Sequence, residues 1–216
     1  MVAVTVRAGS KAEMALPDGT FVHLNAATNL EYDVNNSKQR LVKLSGEAFF
    51  DVAKNPDCPF KVLINDLQNE VVGTSINVKT YKKDIVETSL LSGRIRISGG
   101  SLPHEYTLSP GQKATYSAMD RTLRISKADA HVEAGWRDNY LIFESTPLID
   151  VIAQIERWYG VEIRLHHKQI AQDLLSGSFR NESIQNVIRS LSIQYGFKYE
   201  IHKDIKTTVS NTQHRA

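Results

Sequence analysis

A chain of 216 residues with 41% hydrophobic and 23% charged side chains can bury a sizeable core, and its composition is far from that of a disordered segment. Lys and Arg total 26 against 24 Asp and Glu, and neither half of the chain collects one sign, which argues against a nucleic-acid binder. The single cysteine, Cys58, excludes an internal disulfide and a cysteine-based zinc cluster, and no apolar run approaches the roughly 18 residues of a membrane helix.

The first residues, MVAVTVRAGSKAEM, lack the charged-then-apolar form of a signal peptide, so an export signal, if the protein is exported, is expected outside this sequence. From there to about residue 131 the chain reads as short strands. Phe21 and His23 alternate with Val22 and Leu24, and FKVLI, INVKTY, RIRIS, EYTLS and TLRISKA are similar runs of Val, Ile, Thr and Tyr. Turn signals such as Asp18-Gly19, Ser45-Gly46, Gly99-Gly100 and Pro110-Gly111 separate them at roughly ten-residue spacing, which predicts an all-β sandwich or a solenoid-like stack. Within it, GEAFFDVAKNPDCPFKV stands out. Alternation along this strand sends Phe49 and Phe50 to opposite faces, one into the main core and one beneath a neighbouring layer. Gly46 suits a tight corner, and Pro56 with Pro59 suits a stiff loop that carries Cys58.

The pattern changes after Trp136. Leu148, Val151, Ile152, Ile155 and Tyr159 fall on one helical face, with Thr146 as the expected cap, Pro147 in the first turn and Gly160 as the left-handed stop. A strand, VEIRL, is expected next. The same text returns 36 residues later: Ile184, Val187, Ile188, Leu191 and Tyr195, then Gly196 and FKYEI, with Phe179 matching Phe143. Two strand-helix-strand copies predict an α+β lobe of two βαβ repeats, the strands within each copy parallel. The domain reading is therefore 1–134, all-β, and 135–216, α+β.

A search for chemistry returns little. His166 and His167 are adjacent and point to opposite sides of a strand, and His131-Val132-Glu133 lacks the downstream cysteine pair of a zinc deaminase. No metalloprotease, nucleophile-elbow or phosphate-loop motif occurs, so no catalytic, metal or cofactor site is assigned. Cys58 has no histidine near it in sequence to activate it, and Glu47 and Asp51 share a strand face without forming an evident acid–base pair. Trp136 reads as packing at the junction. Trp158 lies off the helix's apolar stripe and is expected to be partly exposed, so Arg157, Trp158 and Glu162 are the candidate partner-binding residues.

LPDGTFVHLNAATNLEYD, LVKLSGEAFFDVAKNPDCPFKV, VVGTSINVKTY, LLSGRIRIS, YTLSPGQKATYS and AGWRDNYLIFESTPLIDVIAQIERWYGVEI, in this order, resemble the periplasmic part of a FecR-type anti-sigma factor, of the kind abundant in Bacteroidetes. The final lobe resembles a secretin-and-TonB short domain. Ile76, Cys58 and Asn139 depart from the family's usual residues without disturbing the pattern. The resemblance implies a non-enzymatic signal relay without cofactors. In it, the periplasmic signalling domain of a TonB-dependent outer-membrane transporter contacts this region, and an ECF-type sigma factor is bound by a cytoplasmic region outside the sequence, beyond a single membrane span. It also implies localisation as the periplasmic portion of an inner-membrane protein. The alternatives are a carbohydrate-binding module, which needs a row of exposed aromatics, and a periplasmic hydrolase, which needs convergent acids or a nucleophile.

Overall fold

The computed structural model describes residues 2–33, 40–164, 168–196 and 199. The chain builds two seven-stranded sheets. The first runs in the order β1 (Val2–Val6), β4 (Thr28–Tyr32), β5 (Arg40–Ser45), β7 (Phe60–Ile64), β8 (Leu67–Val71), β11 (Ile95–Gly99) and β12 (Tyr106–Leu108). The second runs β14 (Thr122–Lys127), β13 (Gln112–Ser117), β10 (Ile85–Ser92), β9 (Ser75–Lys79), β6 (Glu47–Asp51), β3 (Phe21–Leu24) and β2 (Ala12–Ala15). Neighbours pair antiparallel except β5 and β7, which lie parallel because the chain leaves the first sheet for β6 between them.

Alternation in each strand places one set of apolar side chains between the sheets. Val22, Leu24, Phe50, Ile76, Val78 and Leu90 from the second sheet meet Leu30, Val42, Phe60, Val62, Ile64, Ile95 and Ile97 from the first in one buried cluster. Phe50 and Phe60 touch across it with ring centroids 5.8 Å apart. Asn69 of β8 and Thr88 of β10 are also buried there, and the Asn69 Nδ2 donates to Thr88 Oγ1 at 2.8 Å, tying sheet to sheet. Of the two architectures the sequence allowed, the sandwich is the one formed.

The segment that the sequence singles out turns a corner. Gly46 has φ +112° between β5 and β6, and a Cβ on it would sit 2.5 Å from Thr28 Oγ1. Only glycine makes that bend without displacing Thr28. Beyond β6, the loop to β7 is held by Arg40, which is 8% exposed. Its Nε donates to Asp18 Oδ2 at 2.6 Å, and its terminal nitrogens reach Ala53 O at 2.6 Å, Cys58 O at 3.0 Å and Thr20 Oγ1 at 3.3 Å. Burial pulls the Asp18 carboxyl up, but the hydrogen bonds from Arg40 and Thr20 outweigh it and hold it below the usual carboxylate range.

After β14 the chain forms a short helix, α1 (Ala130–Ala134), capped by Asp129, whose carboxylate accepts from the His131 N–H at 2.8 Å. A 3₁₀ turn (Gly135–Asp138) comes next, then β15 (Tyr140–Pro147), α2 (Leu148–Tyr159), a second 3₁₀ turn (Lys168–Gln172) and β16 (Leu174–Arg180). β15 and β16 pair antiparallel as a two-stranded sheet, with Phe143 and Phe179 edge-on at 6.4 Å. These elements belong to the compact unit Met1–Asn181. The second unit, Glu182–Ala216, contributes α3 (Ile184–Tyr195), capped by Ser183, whose hydroxyl accepts from the Asn186 N–H at 3.2 Å.

Two local expectations are corrected. Thr146 does not cap α2: its hydroxyl engages the Glu144 backbone inside β15, and the Leu148 N–H donates to Asp173 O at 2.8 Å. VEIRL does not begin as a strand, because residues 161–164 have no ladder. The Glu156 side chain accepts the Ile163 N–H at 2.7 Å and the Glu156 carbonyl accepts the Val161 N–H at 3.2 Å, so these donors turn back onto the helix. FKYEI, apart from Tyr199, and His166-His167 lie outside the described residues.

Candidate functional site

The outer face of the second sheet carries a connected, buried polar network. Alternation along β6 that buries Phe50 inward sends Glu47 and Phe49 outward, next to Asn77 on β9. Glu47 is 7% exposed, and each carboxylate oxygen accepts an amide donor: Asn77 Nδ2 at 3.0 Å and Asn25 Nδ2 at 2.7 Å. Thr28 accepts the Glu47 N–H at 3.0 Å, so the corner and the carboxylate are built together.

The stretch from α1 through its 3₁₀ turn lies across this face as a strap. Trp136 donates its indole N–H to Asn77 Oδ1 at 3.0 Å and packs with Phe49 and Ala134, while the Arg137 guanidinium stacks on the Phe49 ring at 3.6 Å. Glu133 accepts from Ser89 at 2.9 Å and from Lys113 at 2.6 Å. Burial would lower the Lys113 ammonium, but the bond and charge of Glu133 prevail and hold it above the usual lysine range.

Helix α2 seats beside the strap. Gly160, at φ +66°, ends it in the left-handed conformation, with the Gly160 and Gly9 backbones in close contact; the Gly9 N–H donates to Arg157 O at 2.8 Å. Lys82 pairs with Asp150 at 2.6 Å at the opposite end. Arg157 lies over the Tyr81 ring at 4.2 Å, and the Tyr81 hydroxyl donates to Ala26 O. Burial raises the Tyr81 hydroxyl, which stays neutral, and burial lowers the Arg157 guanidinium. Lys11 completes the seat: its ammonium lies 3.6 Å from the Trp158 ring centroid and donates to Trp136 O at 2.6 Å and Asn139 Oδ1 at 3.0 Å. Desolvation lowers it to about 8, against an opposing pull from Glu47.

The three residues expected to face a partner are therefore divided. Arg157 and Trp158 are half-buried and turned toward the sandwich, whereas Glu162 is exposed and pairs with Arg164 at 2.8 Å. Glu47, Asn77, Tyr81 and Lys11, which hold the junction, were not singled out as a site. The outward alternation of Glu47 and Phe49 was the one local signal for it. Chemically the arrangement fixes charge and orientation: Glu47 sets both asparagines, and Asn77 then sets Trp136. No group of three or more His, Cys, Asp or Glu that could hold a metal occurs among the described residues.

Comparison with known proteins agrees with this architecture. The FecR protein family matches residues 2–96, and the FecR C-terminal family matches residues 140–208. No curated protein matches the chain significantly. Two crystal structures described as a "putative anti-sigma factor" from Parabacteroides distasonis ATCC 8503 are similar over 94% of this chain, each at 29% identity. Their TM-scores are 0.85 and 0.84, with 96% and 95% of their own chains covered. With both family segments present in order, and a chain-long structural match to an anti-sigma factor, this chain belongs to the FecR-type anti-sigma factors.

Proposed function

We propose that this chain is the periplasmic sensor region of a membrane-anchored anti-sigma factor. In this reading it receives the signalling domain of a TonB-dependent outer-membrane transporter and passes the event, through a cytoplasmic region outside this sequence, to an ECF-type sigma factor. The chain acts by protein contact and catalyses nothing. The observation that carries the reading is the pairing of a FecR segment at 2–96 with a FecR C-terminal segment at 140–208, joined by a strap bonded directly to the Glu47 network. A contact made on α2 is thus one packed layer away from the first segment.

The residues from 135 onward are the receiving part of this reading, and α2 and α3 are its two copied helices. Glu162 is the exposed member of the partner surface, while Arg157 and Trp158 support it from the seat, where partner binding alters their hold on Tyr81 and Lys11. The test is calorimetric titration of the purified chain with signalling domains of TonB-dependent transporters from the same genome. One domain is expected to bind saturably, and Glu162→Arg to weaken it with the fold intact. Absence of binding to every such domain would overturn the transporter partner, and unchanged binding by Glu162→Arg would overturn the placement.

A further inference from the structure

We propose that the free edge of β14 docks an acidic, extended segment of a partner protein, which adds to the second sheet as a further strand. This surface is separate from the receiving part, and its success or failure is independent of the reading above.

Among the described residues, four strands end the two large sheets, and β14 is the longest of them: six residues, against five in β1, four in β2 and three in β12. All of its residues except Leu123 are exposed. The pairing with β13 fixes which backbone groups are free. Ala128 N–H donates to Gly111 O, so the alternation of an antiparallel ladder turns Thr122, Arg124 and Ser126 toward β13 and the backbone groups of Leu123, Ile125 and Lys127 away from it. Those three residues present a row of donors and acceptors on the open side, the template that strand addition uses.

The side chains select the occupant. Ile125 sits opposite the buried Ala114 and so faces inward, yet it is 42% exposed, because the first sheet ends at the short β12 and does not roof β14. An added strand therefore gains an apolar ledge beside Leu123 and Ile125. Around that ledge the charge is positive: Arg121 at the turn, Arg124 on the outer face and Lys127 at the strand end. The two flanking acids are engaged by their own turns: Asp120 accepts the Ser117 hydroxyl at 2.8 Å, and Asp129 accepts the His131 N–H at 2.8 Å. A second copy docking through the same edge would set like charges against each other, whereas carboxylates on the incoming strand meet opposite charge. Charge complementarity thus favours an acidic segment over self-association.

The test uses the whole chain and two acetylated heptapeptides, one alternating valine with glutamate and one alternating valine with lysine, followed by NMR amide exchange. The glutamate peptide is expected to slow exchange at Leu123, Ile125 and Lys127, and the lysine peptide to leave them unchanged. Reversing the charge with Arg124→Glu and Lys127→Glu together should weaken the glutamate peptide by about tenfold. Ile125→Pro removes an outward N–H without taking a bond from β13 and should abolish docking. If that variant misfolds, the charge reversal still decides. No slowing at the three amides, an equal response to both peptides, or undiminished binding by the charge-reversed chain each overturns the proposal.

Discussion

Arg40 shows how much of the front domain rests on one side chain. It is buried in a strand, balances Asp18, and supplies donors to carbonyls before and within the Pro56–Pro59 loop. Replacing it with Met keeps the volume but leaves a carboxylate and two carbonyls short of a donor. Breaking a buried pair on one side costs about 3–5 kcal/mol, and because Asp18 is partly open to water, Arg40→Met should lower stability in urea by about 3 kcal/mol. The sign of the pH effect comes from the depressed Asp18 carboxyl. Its contribution is complete above the unfolded value of 3.8 and is lost as pH falls through the lower folded value. Wild type should therefore lose stability on acidification below that point more steeply than Arg40→Met. Parallel acid titrations of the two chains measure it. Lys11 has the same sign of slope, but in an alkaline window. Its folded value of about 8 lies below the ordinary 10.5, so between these the unfolded chain binds more protons, and stability from this group rises with pH across that window. Lys11→Met should remove the rise, and ¹⁵N NMR of the wild-type ammonium should titrate near 8; a midpoint at the ordinary lysine value would refute the desolvated seat.

At the level of elements, the corner at Gly46 is the point where one side chain would do most damage. A methyl group there meets Thr28 Oγ1 at 2.5 Å and Thr28 Cα at 2.7 Å, at a φ that side chains rarely adopt. Gly46→Ala is expected to destabilise by more than about 2 kcal/mol, read as a drop in thermal midpoint, because it combines backbone strain with displacement of the Thr28–Glu47 bonds. That corner was readable in advance, since Ser45-Gly46 separates two apolar runs. So was the division of Phe49 and Phe50 between layers, because strand alternation is a local rule. The helices of the repeat were readable too: α2 and α3 begin at 148 and 184 and end at 159 and 195, the same offset at both ends, each stopped by a left-handed glycine. What escaped the sequence depends on partners distant along the chain. Arg40 in a polar-flanked strand looks solvent-facing until the β2–β3 turn and the β6–β7 loop converge on it. VEIRL has strand spacing, yet the Glu156 carboxylate and carbonyl intercept its donors. Trp158 lies off the apolar stripe of its helix, and it is half-buried because it packs against the Phe49, Ala134 and Trp136 cluster and because Lys11, well over a hundred residues away, covers its ring.

For the molecule as a whole, the question is whether the sandwich is complete without the strap and α2. Cutting the chain after residue 134 leaves the fourteen strands of both sheets but removes Trp136, Arg137 and α2. Phe49, 4% exposed, loses the ring and guanidinium that cover it, Asn77 loses its indole donor, and Glu47 is opened to water on the side of the seat. Ending the chain after residue 181 keeps every one of those contacts, since the compact unit extends to Asn181. The 1–181 chain should therefore unfold in urea in one cooperative transition, while 1–134 should be less stable and bind a hydrophobic dye. Trp136→Ala in the 1–181 chain separates the strap from mere chain length. Losing a buried tryptophan costs about 3–5 kcal/mol, so this variant should fall most of the way toward 1–134. Equal stability of 1–134 and 1–181 would show that the strap only rests on the sheet. A loss at Trp136 comparable to the truncation would mean that the residues joining the two family segments also set the stability of the first, which is the mechanical coupling a relay through this junction requires.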